Sequence, residues 1–361
     1  MYGIDNLHMT QFKNYPAASY KFDRRVIGIC AMNGKGKTNL LDAIYYLSFT
    51  KSYFSKADIF NNLFGSDGFR IEGNYTQNNT PQNVVCIYRT AGKKELFLND
   101  VAYEKFSSHI GKFPCVMIAP DDVELIAGSS DERRKFIDTL LSQTDPAYLQ
   151  ELITYNKVLQ QRNSLLKQLS EQRHNDMQLL EVLTTQLLEP GINIYKKRKV
   201  FTEQLLPLAR KFYKQIADND EAIDLKYDSQ LNGNEFKALM DNSLQRDLAL
   251  QRTTTGVHRD DLITTLSGKP FKNIASQGQI KSLLFALKLA EFDMLKQNKG
   301  YAPILLLDDV FEKLDEHRMN NLLHWVALQN DGQVFITDTH TERLTTALTG
   351  IGIVPQIIEL P

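Results

Sequence analysis

The sequence predicts an α/β fold, and three observations carry that prediction. The apolar run Val26-Ile27-Gly28-Ile29-Cys30 leads into the loop Ala31-Met32-Asn33-Gly34-Lys35-Gly36-Lys37-Thr38 and then into an amphipathic stretch, residues 39–47. That order is strand, glycine-containing loop, helix. Two further apolar runs, 302–307 and 333–337, are nearly continuous and lie between helical segments, as in a parallel sheet buried on both faces. Between these ends the period changes twice, first to half-buried strands and then to long helices. An antiparallel β lobe and an inserted helical arm domain are therefore expected on the α/β head.

Taken in order, the chain opens with strands over 6–12, 18–22 and 26–30. Residues 37–46 form a helix with Leu40, Leu41, Ile44 and Leu47 on its buried side. Strands return at 69–75, 83–90 and 95–99, separated by the turn-rich Asn78-Asn79-Thr80-Pro81 and Ala91-Gly92-Lys93. A short buried strand follows at 113–119. After Pro120 the character is helical. One helix spans 131–141, and Asp145-Pro146 opens another, with proline in a tolerated first-turn position. Along it Leu149, Leu152, Ile153, Asn156, Leu159, Leu166 and Leu169 recur at helical spacing. Arg173-His174-Asn175-Asp176 reads as a turn. A helix then starts at Met177 with Leu180, Leu183 and Leu187 on one side, and Pro190-Gly191 is expected to kink or break it. A third, basic helical segment covers 192–216. These helices read equally well as an antiparallel arm or as a plain helical subdomain. Residues 218–224 form an acidic loop, 225–275 are mixed, and 280–295 is a strong helix. The expected domains are 1–125 (first part of the head), 126–220 (helical arm) and 221–361 (second part of the head).

Composition narrows the function. The chain has 361 residues, 42% of them hydrophobic and 24% charged, with a net charge of −1. A wholly basic nucleic-acid binder is excluded, so any DNA contact must use a local patch. No apolar run approaches the ~20 residues of a membrane span, and the N-terminus lacks a signal-like pattern. Cys30, Cys86 and Cys115 suit neither a zinc site nor a disulfide framework, and read as small core residues of a reducing cytoplasm.

The loop at 31–38 has the residues a phosphate needs. Small residues let successive backbone N–H groups turn inward, and the helix N-terminus adds partial positive charge. Lys37 can reach the β- and γ-phosphates of a nucleotide, and the Thr38 hydroxyl can hold Mg²⁺. The pattern G-x-x-x-x-G-K-[ST] is met except at its first position, where Ala31 stands; a methyl group is serious there only if φ is positive. The second signal is Ile304-Leu305-Leu306-Leu307-Asp308-Asp309, a buried strand ending in two acids at the edge where open α/β sheets bind ligands. Asp308 would hold Mg²⁺, directly or through water, and Asp309 would face the attacking water as general base. The third is Ser276-Gln277-Gly278-Gln279, a hydroxyl and a small residue immediately before the helix at 280. Phosphate loop, then this signature, then apolar-Asp-Asp is the order of ABC-type ATPase heads, in which the signature of one subunit completes the nucleotide site of the other. One copy of each per chain implies a homodimer.

The chain resembles the RecF family, recombination-repair members of the SMC-like ATPases, over essentially its whole length. The matching segments are Phe12-Lys13-Asn14-Tyr15, the loop through Leu41, Ala119-Pro120-Asp121-Asp122, Glu132-Arg133-Arg134-Lys135-Phe136-Ile137-Asp138, Gln161-Arg162-Asn163, Gly256-Val257-His258-Arg259-Asp260-Asp261, Ser276–Gln279 and Leu305 to Phe311. The resemblance implies an ABC-type ATPase head that uses ATP and Mg²⁺. It implies a weak, DNA-stimulated ATPase acting as a switch, which dimerises on ATP and binds duplex DNA near single-strand gaps. It also implies RecR and RecO as partners in loading RecA, and a cytoplasmic location. Ala31, Val257, Ile280-Lys281, Glu312 and Asp338 depart from the family pattern. Glu312 lies in the loop ending at Asp315, and Asp338 stands where transporter-type heads place a histidine that RecF proteins commonly lack. These departures bear on hydrolysis and dimer geometry more than on nucleotide binding, since Lys37, Thr38 and Asp308 are intact. Asp309 is shorter than the glutamate common in the superfamily, which suits slow, switch-like hydrolysis, and the RecF family itself carries Asp here.

Lys196, Lys197, Arg198 and Lys199, with Lys211 and Lys214 further along, form a basic strip beside Phe201, Phe212 and Tyr213 that could hold DNA phosphates without reading sequence. A solvated helix face is the competing reading. Arg133, Arg134 and Arg259 are read instead as ion-pair partners of Glu132, Asp260 or Asp261, or as contacts near the nucleotide. The runner-up is another short-armed SMC-like DNA-binding ATPase with a different DNA task. Two other function classes fit the loop: a transporter-type ATPase subunit, which the long helical excursion argues against, and a phosphate-transferring kinase, which needs no Ser276-Gln277-Gly278-Gln279.

Overall fold

The computed structural model describes residues 2–172, 176–217, 221–310 and 316–361. Residues 173–175 of the expected turn, 218–220 of the expected acidic loop, and Phe311, Glu312 and Asp315 lie outside the described residues. The chain forms two compact units, Met1–Val123 with Lys211–Asp220 and Ser276–Pro361, and Glu124–Arg210 with Glu221–Ala275.

The first unit contains two sheets. The five-stranded one is wholly parallel, in the order Gln356–Glu359, Val26–Cys30, Val334–Asp338, Ile304–Leu307, Cys115–Ile118. Its strands come from both ends of the chain, and the three inner strands and the edge strand Cys115–Ile118 are buried residue by residue, as continuous apolar strands require. The six-stranded sheet is antiparallel, in the order Tyr15–Lys21, Tyr2–Phe12, Gly68–Gln77, Thr80–Arg89, Glu95–Leu98, Val101–Ala102. The helix Lys37–Phe49 contacts strands of both sheets. That position explains its burial: Leu40, Leu41, Ile44 and Leu47 are inside as the periodicity predicts, and so are Tyr45, Tyr46 and Phe49, on faces a one-sided amphipathic helix would expose. Cys30, Cys86 and Cys115 are buried free thiols.

The second unit packs the helices Ser130–Thr144, Pro146–Gln172 and Phe236–Leu250, and the helix Met177–Ala217 as far as Arg210, with a three-stranded antiparallel sheet, Lys269–Pro270, Asp261–Leu266, Ile223–Asp228. Residues 221–275 thus group with the helices rather than with the head. Asp145 caps its helix, its Oδ1 accepting from Ala147 N at 2.9 Å and Tyr148 N at 3.0 Å.

Two expectations are corrected here. The buried stripe of Pro146–Gln172 is Tyr148, Tyr155, Val158, Arg162, Leu165 and Leu166, while Ile153 and Asn156 face solvent. The helix tolerates a buried arginine because Arg162 Nη1 meets Asp247 Oδ2 at 2.8 Å and Thr253 Oγ1 at 2.7 Å. Pro190-Gly191 does not break the next helix, which is continuous over Met177–Ala217 with Pro190 and Pro207 inside. An internal proline costs about 3 kcal/mol. Burying a large apolar side chain gains about 1.5–3 kcal/mol, and Leu187 and Ile194, flanking Pro190, are both fully buried. Among the described residues no helix is long and apolar enough to cross a membrane.

Candidate nucleotide site

The loop Ala31–Gly36 runs from the end of Val26–Cys30 to the start of Lys37–Phe49. Ala31 keeps a negative φ, so its methyl group is accommodated, while Gly34 (φ 82°) and Gly36 (φ 100°) take the left-handed turns. A side chain at Gly36 would also strike Asn14, whose Nδ2 lies 2.5 Å from where Cβ would stand. Asn14 is the brace of this loop. Its Nδ2 donates to Lys35 O at 3.3 Å, and its Oδ1 accepts from Asn39 Nδ2 at 2.7 Å. Tyr15 OH donates to Gly36 O at 3.0 Å. The turn Phe12-Lys13-Asn14-Tyr15 thus supports the phosphate loop, a role its sequence did not reveal.

Lys37 Nζ donates to Ala31 O at 2.8 Å and lies 3.4 Å from both Met32 O and Asn33 Oδ1, so the ammonium sits within the loop. Thr38 Oγ1 is 3.0 and 2.9 Å from the two carboxylate oxygens of Asp308. Thr337, on the strand between the two, donates from Oγ1 to Asp308 Oδ1 at 2.9 Å and accepts from Asp309 N at 2.8 Å. Its signal in the sequence was a hydroxyl at the end of an otherwise apolar strand. Burial pushes the Asp308 carboxyl up to about 6; the hydroxyls of Thr337 and Thr38 pull the other way. A buried carboxylate that accepts from two hydroxyls, with the charges of Asp309 and Lys37 acting on it in opposite directions, is a fitting ligand for Mg²⁺, which takes one or two protein oxygens and leaves the rest to phosphates and water. Asp309 holds a left-handed backbone (φ 46°) just beyond the strand.

Ser276-Gln277-Gly278-Gln279 opens the helix Gln277–Lys299 as a capping box, with Ser276 Oγ accepting from Gln279 N at 3.2 Å and Gln279 Oε1 from Ser276 N at 2.7 Å. Ser276 is exposed. The Arg318 guanidinium packs against Gly278, where any Cβ would collide with it. At the departing position Asp338, the side chain is buried and paired with Arg343.

The basic strip divides. Arg198 is only 2% exposed and is corrected from phosphate contact to core ion pair, 2.8 Å from both Asp138 Oδ1 and Asp260 Oδ2. The cause is helical period: Ile194, Arg198, Phe201 and Leu205 share the buried face. Lys197 pairs with Asp145 at 2.5 Å. Lys196 and Lys199 are exposed in the second unit, Lys211 and Lys214 in the first. Phe201, Phe212 and Tyr213 are buried, so none offers a ring to a base. Arg133 pairs with Asp261 at 2.6 Å, and Arg134 pairs with Asp131 and donates to Asp260 O.

The family model described as RecF/RecN/SMC N terminal domain matches residues 3–357. A curated relative from Flavobacterium johnsoniae, DNA replication and repair protein RecF, is 41% identical over 340 residues, covering 94% of this chain and 95% of its own. A solved structure of the recombination mediator protein RecF with ATP, of the RecFOR pathway, superposes with a TM-score of 0.86 at 30% identity, covering 94% of this chain and 92% of that one. An Smc head domain from Pyrococcus furiosus superposes with a TM-score of 0.57 at 15% identity over 99% of this chain and 93% of its own, which shows the ATPase-head fold alone. The chain belongs to the RecF family of DNA replication and repair proteins.

Proposed function

We propose that the chain is an ATP-gated DNA-binding ATPase of recombinational repair. The cluster of Lys37, Thr38, Asp308 and Asp309 around the phosphate loop carries this reading. ATP placed there exchanges its β- and γ-phosphate oxygens for the loop carbonyls now facing Lys37. Thr38 and Asp308 hold Mg²⁺, which neutralises phosphate charge when bound. Asp309 orients a water and accepts its proton as the water oxygen bonds to the γ-phosphorus; the bond from that phosphorus to the bridging oxygen breaks, and ADP leaves. Ser276 and Gly278 of a second copy complete the site, so ATP favours the closed homodimer by binding it better than the open monomer. Lys196, Lys199, Lys211 and Lys214 hold DNA phosphates without reading sequence, so binding weakens with salt. The RecFOR pathway named for the similar solved RecF structure supports a place beside RecR and RecO; RecA loading at gapped duplex DNA is the outcome this reading assigns.

Molar mass by light scattering tests this, with and without Mg-ATP and gapped duplex DNA, for the wild type and Lys37→Met. The expected result is a shift from one subunit to two on ATP, lost in the variant and strengthened by DNA. No shift under any condition would sink the shared-site mechanism.

A further inference from the structure

The helix that begins at the signature carries a second polar cluster three turns along. Lys288 is 7% exposed, and its Nζ lies 3.3 Å from Tyr53 OH, 3.6 Å from Asp122 Oδ2 and 3.7 Å from Glu291 Oε2. Tyr53 OH donates to Asp122 Oδ1, and Asp122 Oδ2 also accepts from Ala119 N at 2.9 Å. Tyr53 leads back to the phosphate-loop helix, its backbone N donating to Asp42 Oδ1 at 2.7 Å. Asp42 Oδ2 in turn accepts from Ser52 Oγ at 2.6 Å and pairs with Lys13 Nζ at 2.5 Å, next to the Asn14 that braces the loop. Asp42, Lys288 and Glu291 are all buried. A chain of contacts therefore runs from the helix behind the phosphates, through Asp42 to the Tyr53 backbone and, across the Tyr53 ring, from its hydroxyl to Asp122 and to Lys288 on the signature helix.

Burying charges is costly, and apolar residues of similar volume often replace such pairs without loss of stability. Stability alone does not call for a lysine here. A directional contact does something an apolar one cannot: it fixes the helix at one rotation and one height relative to the groups it meets. We propose that Lys288 is a positioning residue that sets the signature helix against the phosphate-loop helix of the same chain, so that Ser276 and Gly278 are presented in the geometry the partner's nucleotide requires. This rests on the shared-site reading above. Lys288 touches no nucleotide; it acts through Asp122 and Tyr53.

The test compares the wild type with Lys288→Met, Lys288→Arg, Tyr53→Phe and the double variant Lys288→Met/Tyr53→Phe. Three quantities are read on the full chain: affinity for a fluorescent ATP analogue with Mg²⁺, ATP-driven dimerisation by light scattering, and melting temperature. The expected result is nucleotide affinity within about 2-fold of wild type, dimerisation weakened about 10-fold in Lys288→Met and in Tyr53→Phe, and partial recovery in Lys288→Arg. The double variant should be no worse than the worse single one, the signature of residues acting in one path. Wild-type dimerisation in both single variants overturns the proposal, as does a loss that tracks melting temperature or nucleotide affinity. If the wild type itself does not dimerise with ATP, the shared-site reading fails first, and the positioning role falls with it.

Discussion

Thr38 Oγ1 lies within 3.0 Å of both carboxylate oxygens of Asp308, a residue 270 positions further along the chain. This contact joins the phosphate loop to the two-aspartate strand across Thr337 on the strand between them. Thr38→Ala should therefore weaken binding of a fluorescent ATP analogue at least about 10-fold with Mg²⁺ present, a loss of about 1.4 kcal/mol or more, and much less in EDTA. Equal losses in the two titrations would remove the metal role of this pair.

Asp309 follows the strand in a left-handed conformation fixed by Thr337. As general base it should contribute about 100-fold or more to hydrolysis. Asp309→Asn is expected to retain nucleotide binding and slow phosphate release in single-turnover assays by that factor. An unchanged rate would assign the proton acceptor elsewhere.

Ala31 and Gly36 make opposite predictions within one loop. With its negative φ, Ala31 gains nothing from glycine, and Ala31→Gly should cost up to about 1 kcal/mol in chain entropy without tightening nucleotide binding. Gly36→Ala forces a methyl group onto Asn14 at a left-handed position and should abolish binding. Calorimetric titration of both variants separates the two positions.

Arg198 and Lys199 are neighbours in sequence with different fates. Arg198→Ala leaves Asp138 and Asp260 without their shared cation and should destabilise the fold by about 3–5 kcal/mol. Lys199→Glu, on the exposed face, should change stability by no more than about 0.5 kcal/mol and weaken DNA binding at low salt. Urea denaturation and a salt series of DNA titrations measure the two effects; DNA affinity unchanged in Lys199→Glu would exclude that lysine from the contact.

His258 Nδ1 is 2.8 Å from Tyr155 OH and Nε2 is 3.0 Å from Thr253 O. A carbonyl only accepts, so Nε2 carries the proton and Nδ1 accepts from the tyrosine. Burial pushes the ring down to about 4, from an ordinary value of 6.5. Between those values the unfolded chain binds a proton that the folded chain refuses. The stability this ring contributes is present above about 6.5 and lost as pH falls toward 4. His258→Gln should flatten that loss, seen as urea midpoints at pH 7 and pH 5; parallel losses in variant and wild type would place the acid sensitivity elsewhere.

The sequence by itself determined what local chemistry can encode. Val26–Cys30 and the run ending at Asp308 are apolar without interruption, so both had to be buried parallel strands. Gly34, Gly36, Lys37 and Thr38 carry their roles in their side chains, or in the lack of one. What only the tertiary structure decided depends on which faces meet. Arg198 looks like its basic neighbours, yet helical rotation puts it beside Ile194 and Phe201, where Asp138 and Asp260 must neutralise it. Ile153 looks like core and is exposed, while Arg162 looks like surface and is buried against Asp247. Pro190 reads as a stop, but the packing of its neighbours outweighs one lost hydrogen bond. Asn14, Tyr15 and Thr337 gained their places at the site through backbone pairing and sheet order. The polar partners these side chains take lie tens of residues away in the chain, and no local propensity names them.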